Sequence, residues 1–439
     1  MDQSKTIKFK FHGKKEALKI VDTHGELSEY LSNQSIECPL MGSEIKIGKI
    51  LGKGKFGAAF IVTIPEYGLK EYAVKRIDKD NSTIESKISG PLKKVAKKLS
   101  KEYAVSDTSI IALNEGRYQD DYIQKGDELY FPYYSKMCLT KENYVEDPCV
   151  EEGEKTLIPA RSYICSDETY PEFVISSLCG NLFKNNVSAN FFDIFGFATC
   201  PNKNMVSQYI FMEKIDMTLL ELLENEKDNF EPWTIAVLMI QVIHAIGVYQ
   251  KNYKIQHTDL AAKNIFIESI KPTTKFCGKN VQTAKYFNYV IKDESGDKSK
   301  DVSLYLPYIP WIVKIGDYGM AVKYSYPIVS SEDSIKGMAD GDIPNWYTEN
   351  YDILYFLGNM FYYGDDEFFY KLSTNIFDAN NEEEVSKVFN DLFSESGRPG
   401  LWSLGSVFKD ITPRKLLTNE KIIKEYLKPH KGAIFMGSF

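Results

Sequence analysis

The stretch "IQHTDLAAKNIFI", Ile255–Ile267, decides how this 439-residue chain is read. Its flanks are apolar and β-prone. Between them stand His257, Asp259 and Asn264. A short run that looks buried has little use for an unpaired carboxylate and an amide, because burying them without partners is costly. They could be ordinary loop residues. They could also do chemistry: a carboxylate that accepts or orients a hydroxyl proton, and an amide oxygen that ligates a hard cation.

Working outward, "EPWTIAVLMIQVIHAIGVYQKN" just upstream is apolar nearly all round, which predicts a buried central helix. "MTLLELLE" before it predicts a shorter helix, and "ANFFDIFGFATC" and "SQYIFMEKI" two strands. "YPEFVISSLCGNLF", Tyr170–Phe183, has helical periodicity through Phe173, Ile175, Leu178 and Leu182. Further upstream, "EIKIGKILGKGKFGAAFIVTI" reads as strand, glycine turn, strand, and "EYAVKRI", Glu71–Ile77, as a third strand. Downstream, "YIPWIVKIGDYGMAV" resumes strand texture and "YTENYDILYFLGNMFYYG" predicts an apolar helix. Short helices close the chain, among them "TPRKLLTNEKIIKEYL". Residues 1–43 form a polar extension with a helix around Gly25–Ser32, residues 78–168 a partly ordered insertion, and 268–304 a poorly patterned segment. The first part is thus β-rich and the second α-rich.

Composition narrows the function classes. Hydrophobic residues make up 43% and aromatics 13%, with 29 Tyr and 26 Phe, enough for a sizeable aromatic core. The net charge of −8 excludes an overall basic footprint for nucleic acid. "KTIKFKFHGKK" and "GPLKKVAKKLSK" are locally basic. The second is helix-compatible, with Leu92, Val95, Ala96 and Leu99 on one side. It reads as a solvated helix face rather than a docking surface for an acidic partner or an anionic membrane. The seven cysteines show no CxxC and no zinc-site spacing, so they read as reduced thiols of a cytosol-like compartment. No apolar run approaches the length of a membrane span, and no signal peptide is visible.

Four signals then fall in order. Gly52-Lys53-Gly54-Lys55-Phe56-Gly57 lies between two strands, where glycines let backbone N–H groups approach phosphates. Alone it is a flexible turn. Lys75 in "YAVKRI" shares its strand face with the small Ala73, which suits a cation reaching phosphates. "HTDLAAKN" follows, and Asp317-Tyr318-Gly319 comes directly after the strand "WIVKI". Each is weak by itself. In this order they resemble the protein-kinase signature set, from about Glu44 to Gly358 apart from two insertions.

The resemblance implies an α+β, bilobal protein-kinase-like fold with a small β-rich N-lobe, 44–215, carrying the insertion at about 78–168. A larger α-helical C-lobe, 216–439, carries a second insertion at about 268–310. It implies transfer of the γ-phosphoryl group of ATP to a protein hydroxyl, Ser/Thr more than Tyr, with Mg²⁺. Gly52, Gly54, Gly57 and Ala73 would line the nucleotide, and Lys75 would contact its α/β-phosphates. Glu172 would pair with Lys75, with Glu85 in reserve; Met212 would be the gatekeeper, and the backbone of Glu213 and Ile215 would hold adenine. Asp259 would be the catalytic base, Asn264 and Asp317 the metal ligands, and His257 a packing residue beneath the loop.

The departures are specific. Thr258 replaces the Arg that pairs with a phosphorylated activation segment, which implies activity independent of such phosphorylation. Ala261 stands where Ser/Thr kinases carry Lys; Lys263 matches the cation of many tyrosine kinases and would supply that charge. Ala59 thins the adenine ceiling. No Ala-Pro-Glu follows "DYG"; in "GDIPNWYTENYD", Asp352 would be the helix residue that braces the catalytic loop. With "YLPYIPWIVKIGDYG" and the closing helices, these features resemble kinases of large cytoplasmic DNA viruses. That implies protein substrates in the host cytoplasm, viral structural proteins as partners, and packaging in virions. A kinase-fold scaffold or virion structural protein is the alternative, and a small-molecule kinase of similar fold a third.

Overall fold

The computed structural model describes residues 6–7, 45–54, 57–63, 71–103, 107–132, 144–146, 157–159, 170–202, 205–323, 348–361, 367–392 and 411–439. The helix expected around Gly25–Ser32 lies outside them. Two compact units emerge. The first comprises Met1–Asn143, Ser162–Leu178 and Asp193–Lys214; the second Tyr144–Arg161, Cys179–Phe192 and Ile215–Phe439. Helix and sheet are mixed, and the N-terminal region is sheet-rich.

In the first unit, β1 (Ile45–Gly54) and β2 (Gly57–Thr63) form the glycine hairpin, and β2 pairs with β3 (Glu71–Glu85). Two short helices follow, α1 (Leu92–Tyr103) and α2 (Asp107–Asn114), then β4 (Glu128–Pro132). Helix α3 (Tyr170–Lys184) leads to β5 (Ile194–Asn202) and β6 (Met205–Glu213). One antiparallel sheet runs Thr6–Ile7, β1, β2, β3, β6, β5, with β4 added to the far end of β3.

Strand β3 exceeds its expected end at Ile77. "DKDNSTIE" carries poor strand formers, yet Asp78–Asp80 pair with β6 and Asn81–Glu85 with β4. Ladder hydrogen bonds on the backbone override local propensity there. Within the expected insertion, Leu92, Val95, Ala96 and Leu99 of α1 close on Ile110, Ile123 and Leu129 as a small buried cluster. The lysine-rich face of α1 (Lys93, Lys94, Lys97, Lys98) remains exposed, as the amphipathic pattern predicts.

The second unit is built around a long helix. Helix α4 (Leu219–Glu226) starts at a capping box in which Thr218 and Glu221 exchange hydrogen bonds. Helix α5 (Thr234–Tyr253) has every residue from Thr234 to Gln250 buried. It is long and apolar enough to cross a membrane, which corrects the expectation that no run reaches that length. However, 94% of its apolar window lies inside the protein, as in a core helix. Strand β7 (Ile265–Ser269) follows the His257–Asn264 loop.

The segment expected to be poorly patterned instead folds. Strands β8 (Tyr286–Ile291) and β9 (Val302–Pro307) pair antiparallel, with Phe287, Tyr289, Ile291, Leu304 and Leu306 inward. Then β10 (Trp311–Ile315) pairs with β7. Helices α6 (Tyr351–Phe361), α7 (Glu367–Phe377) and α8 (Glu382–Leu392) follow. After the short helices Pro413–Leu417 and Glu420–Ile423 the chain ends in β11 (Ala433–Ser438), a strand the closing pattern did not announce. It pairs in parallel with β8.

Candidate active site

The glycine hairpin turns between Gly54 and Gly57, which are Cα partners. Gly57 is fixed by packing: a Cβ there would sit 1.9 Å from the carbonyl oxygen of Arg76. Gly52 is different. Among the described residues a Cβ there would meet nothing within 4 Å, so none of their contacts requires a glycine at that position.

Strand β3 places Lys75 opposite Ala59 on one side and Ile210 on the other; Ala73 lies opposite Ile61 and Met212. Lys75 Nζ donates to Glu172 Oε1 at 2.6 Å, joining residues 97 apart in the chain. Glu172 is in the first turn of α3 and only 3% exposed. A carboxylate this buried is tolerable only with a charged partner, and removing one member of such a pair costs about 3–5 kcal/mol. Glu85, the reserve partner, ends β3 ten residues on, roughly 30 Å along the strand.

Met212, Glu213 and Ile215 are half-buried at the end of β6 and just beyond it. Glu213 is locked to Asp193: its N–H donates to the Asp193 carbonyl at 3.0 Å, and its Oε1 accepts the Asp193 N–H at 2.9 Å.

In the second unit, α5 stops where Lys254 turns left-handed at φ +53°. Ile255 and Gln256 then pair with Lys323 and Val322. The loop that follows is held from below by Asp352, fully buried on α6. Its Oδ2 accepts the His257 N–H at 2.8 Å and the Tyr249 hydroxyl at 2.7 Å; its Oδ1 accepts the Thr258 N–H at 2.9 Å. Burial pushes the Asp352 carboxyl above the ordinary range, and these donors pull the other way. Thr258 adopts φ +63°, a strained conformation for a β-branched residue, and its hydroxyl donates to the Met320 carbonyl at 2.5 Å.

Asp259 is the next residue. Its Oδ2 accepts from Asn264 Nδ2 at 2.9 Å, and the same nitrogen donates to the Asp259 carbonyl at 2.8 Å. Its Oδ1 accepts the Tyr355 hydroxyl at 2.7 Å. Lys263, between them in sequence, is exposed. The pairing Ile265↔Ile315 brings the residues after β10 alongside this loop. His257 Nε2 lies 2.9 Å from the Gly316 carbonyl, and since a carbonyl only accepts, that nitrogen carries the proton. His257 is fully buried and its ring faces Tyr318 at 5.2 Å, a packing position beneath the loop. A Cβ on Gly316 would lie 2.5 Å from the Phe192 ring. Asp317 follows at φ +58°, exposed, with Tyr318 buried behind it. The loop pairing and the His257 and Thr258 contacts thus bring Asp259, Asn264 and the Asp317 turn into one neighbourhood.

Among the described residues no group of three or more His, Cys, Asp or Glu gathers as a metal cluster. What the loop offers a cation is oxygen from Asn264 and Asp317. Asn264 has committed its amide nitrogen to Asp259, so its carbonyl oxygen is the end left for a ligand. Two hard oxygens fit Mg²⁺, which keeps waters and takes phosphate oxygens for the remaining positions. Tyr249 and Tyr355 were missed from sequence: both reach the loop from helices distant in the chain.

No protein-family profile matches the sequence, and no curated protein matches it. Solved structures do match, among them the crystal structure of a Plasmodium kinase domain, at 13% identity over 90% of each chain and a TM-score of 0.31. A score of that size does not establish a shared fold.

Proposed function

We propose that the chain is an ATP-dependent protein kinase, transferring the γ-phosphoryl group to a protein hydroxyl, Ser or Thr before Tyr. The observation that carries this is the ion pair between half-buried Lys75 and buried Glu172, which fixes a cation on a strand beside a glycine hairpin. A lysine held in place by a carboxylate suits the α/β-phosphates. On this reading Gly52, Gly54, Gly57 and Ala73 line the nucleotide, Met212 is the gatekeeper, and adenine is met by the backbone of Ile215 and the carbonyl of Glu213, whose N–H is committed to Asp193. Asp259 takes the acceptor hydroxyl's proton, and Lys263 lends charge to the transferred group. Asn264 and Asp317 hold Mg²⁺, which when bound neutralises phosphate charge. A small β-rich lobe and a larger helical lobe, and action in the cytoplasm of a virus-infected cell on host or virion proteins, belong to the same proposal.

A second reading has one observation in its favour. Both carboxylate oxygens of Asp259 already accept hydrogen bonds inside the protein, as they would in a scaffold that transfers nothing. Thermal melting with ATP and Mg²⁺ separates the two, since a ligand that binds only the folded state raises the melting temperature. The kinase reading expects a rise of several degrees that Asp317→Ala removes. No rise in the unsubstituted protein favours the scaffold.

A further inference from the structure

We propose that Tyr355 is a positioning residue for phosphoryl transfer, one that sets the direction of the Asp259 carboxylate; this rests on the kinase reading above. Helix α6 presents Asp352 and Tyr355 one turn apart on one face, as i and i+3 spacing dictates. Asp352 fixes the backbone of His257 and Thr258; Tyr355 fixes the side chain of the residue immediately after them. One rigid helix therefore holds three consecutive loop residues. Tyr355 is itself immobilised. It is 4% exposed, its ring stacks on Tyr351 at 6.2 Å and 4° interplanar angle, and its carbonyl accepts from Asn359 at 3.0 Å.

A carboxylate on one χ1 and one χ2 torsion has two free rotations. Asn264 pins Oδ2 and Tyr355 pins Oδ1, so neither rotation is free. Each oxygen has two acceptor positions and each spends one on the protein. The remaining acceptor position on each is then aimed by these two donors, and a substrate hydroxyl meets a base whose direction is already set. On the kinase reading Asn264 also serves the cation and the Tyr355 hydroxyl does not, so removing that hydroxyl keeps both proposed metal ligands.

The test is Tyr355→Phe, which deletes one oxygen and keeps the ring. Rates are counted per nucleotide-binding site by ATP titration, so that any unfolded fraction drops out. We expect kcat to fall about tenfold, the usual scale of a hydrogen bond to a charged group. KM for ATP stays unchanged. A fall in kcat without a change in KM is what a group that orients the base, and does not hold the nucleotide, produces. A purely structural tyrosine, with rates counted per binding site, would leave kcat in place. An unchanged kcat overturns the proposal, as does a rise in kcat, which would mean that the hydroxyl blocks the base. If the unsubstituted protein binds ATP yet transfers nothing, the kinase reading fails and this role fails with it. Transfer that is indifferent to Tyr355→Phe sinks this inference alone.

Discussion

At the scale of single residues, buried polar groups explain most of the second unit's architecture. Asp352 has three donors on its two oxygens, and Thr258 endures a left-handed backbone because two hydrogen bonds hold it. His244 is the opposite case. It is fully buried on α5 between the rings of Tyr289 and Phe439, and neither ring nitrogen has a hydrogen-bond partner among the described residues. Burial pushes its imidazole down to about 3. The sign follows directly. Between about 6.5 and 3 the unfolded chain binds a proton that the folded protein does not. His244 thus costs no stability above pH 6.5 and progressively more as pH falls toward 3. From pH 7 to pH 5 that loss is about 2 kcal/mol. Urea titrations of His244→Phe should show a drop over that interval smaller by that amount. An identical drop would mean that His244 is charged in the folded state.

At the scale of elements, legibility from sequence followed periodicity. Helix α5 announced itself by an unbroken apolar run, and the glycine hairpin by alternation interrupted at Gly52 and Gly54. The loop of Asp259 and Asn264 was visible because polar residues stood where apolar ones belonged. Three features were hidden for one physical reason: their stabilising partners are far away in the chain. Strand β3 runs on through poor strand formers because β4 and β6 pair with it; β11 is a strand because β8 lies beside it; Tyr355 matters because Asp259 is 2.7 Å away. The hairpin also yields a contrast between two of its glycines. Gly57→Ala forces a methyl group onto the Arg76 carbonyl and should cost about 1–3 kcal/mol in chemical denaturation. Gly52→Ala meets no atom of the described residues and should leave stability within about 0.5 kcal/mol, while weakening ATP binding if the nucleotide lies over this turn. Equal losses of stability would contradict the packing account.

At the scale of the whole molecule, each unit carries its own part of the proposed chemistry. The first supplies the Lys75–Glu172 pair and the glycine hairpin; the second supplies Asp259, Asn264 and Asp317 around a loop held by Asp352. The claim stands or falls on activity of the intact chain. The most direct measurement is transfer of labelled γ-phosphate from ATP with Mg²⁺ to mixed protein substrates and to the chain itself, beside Asp259→Asn, which keeps the shape and removes the base. The account predicts incorporation by the unsubstituted protein and a loss of at least a hundredfold in the variant. No incorporation by the former, or equal incorporation by both, would contradict it.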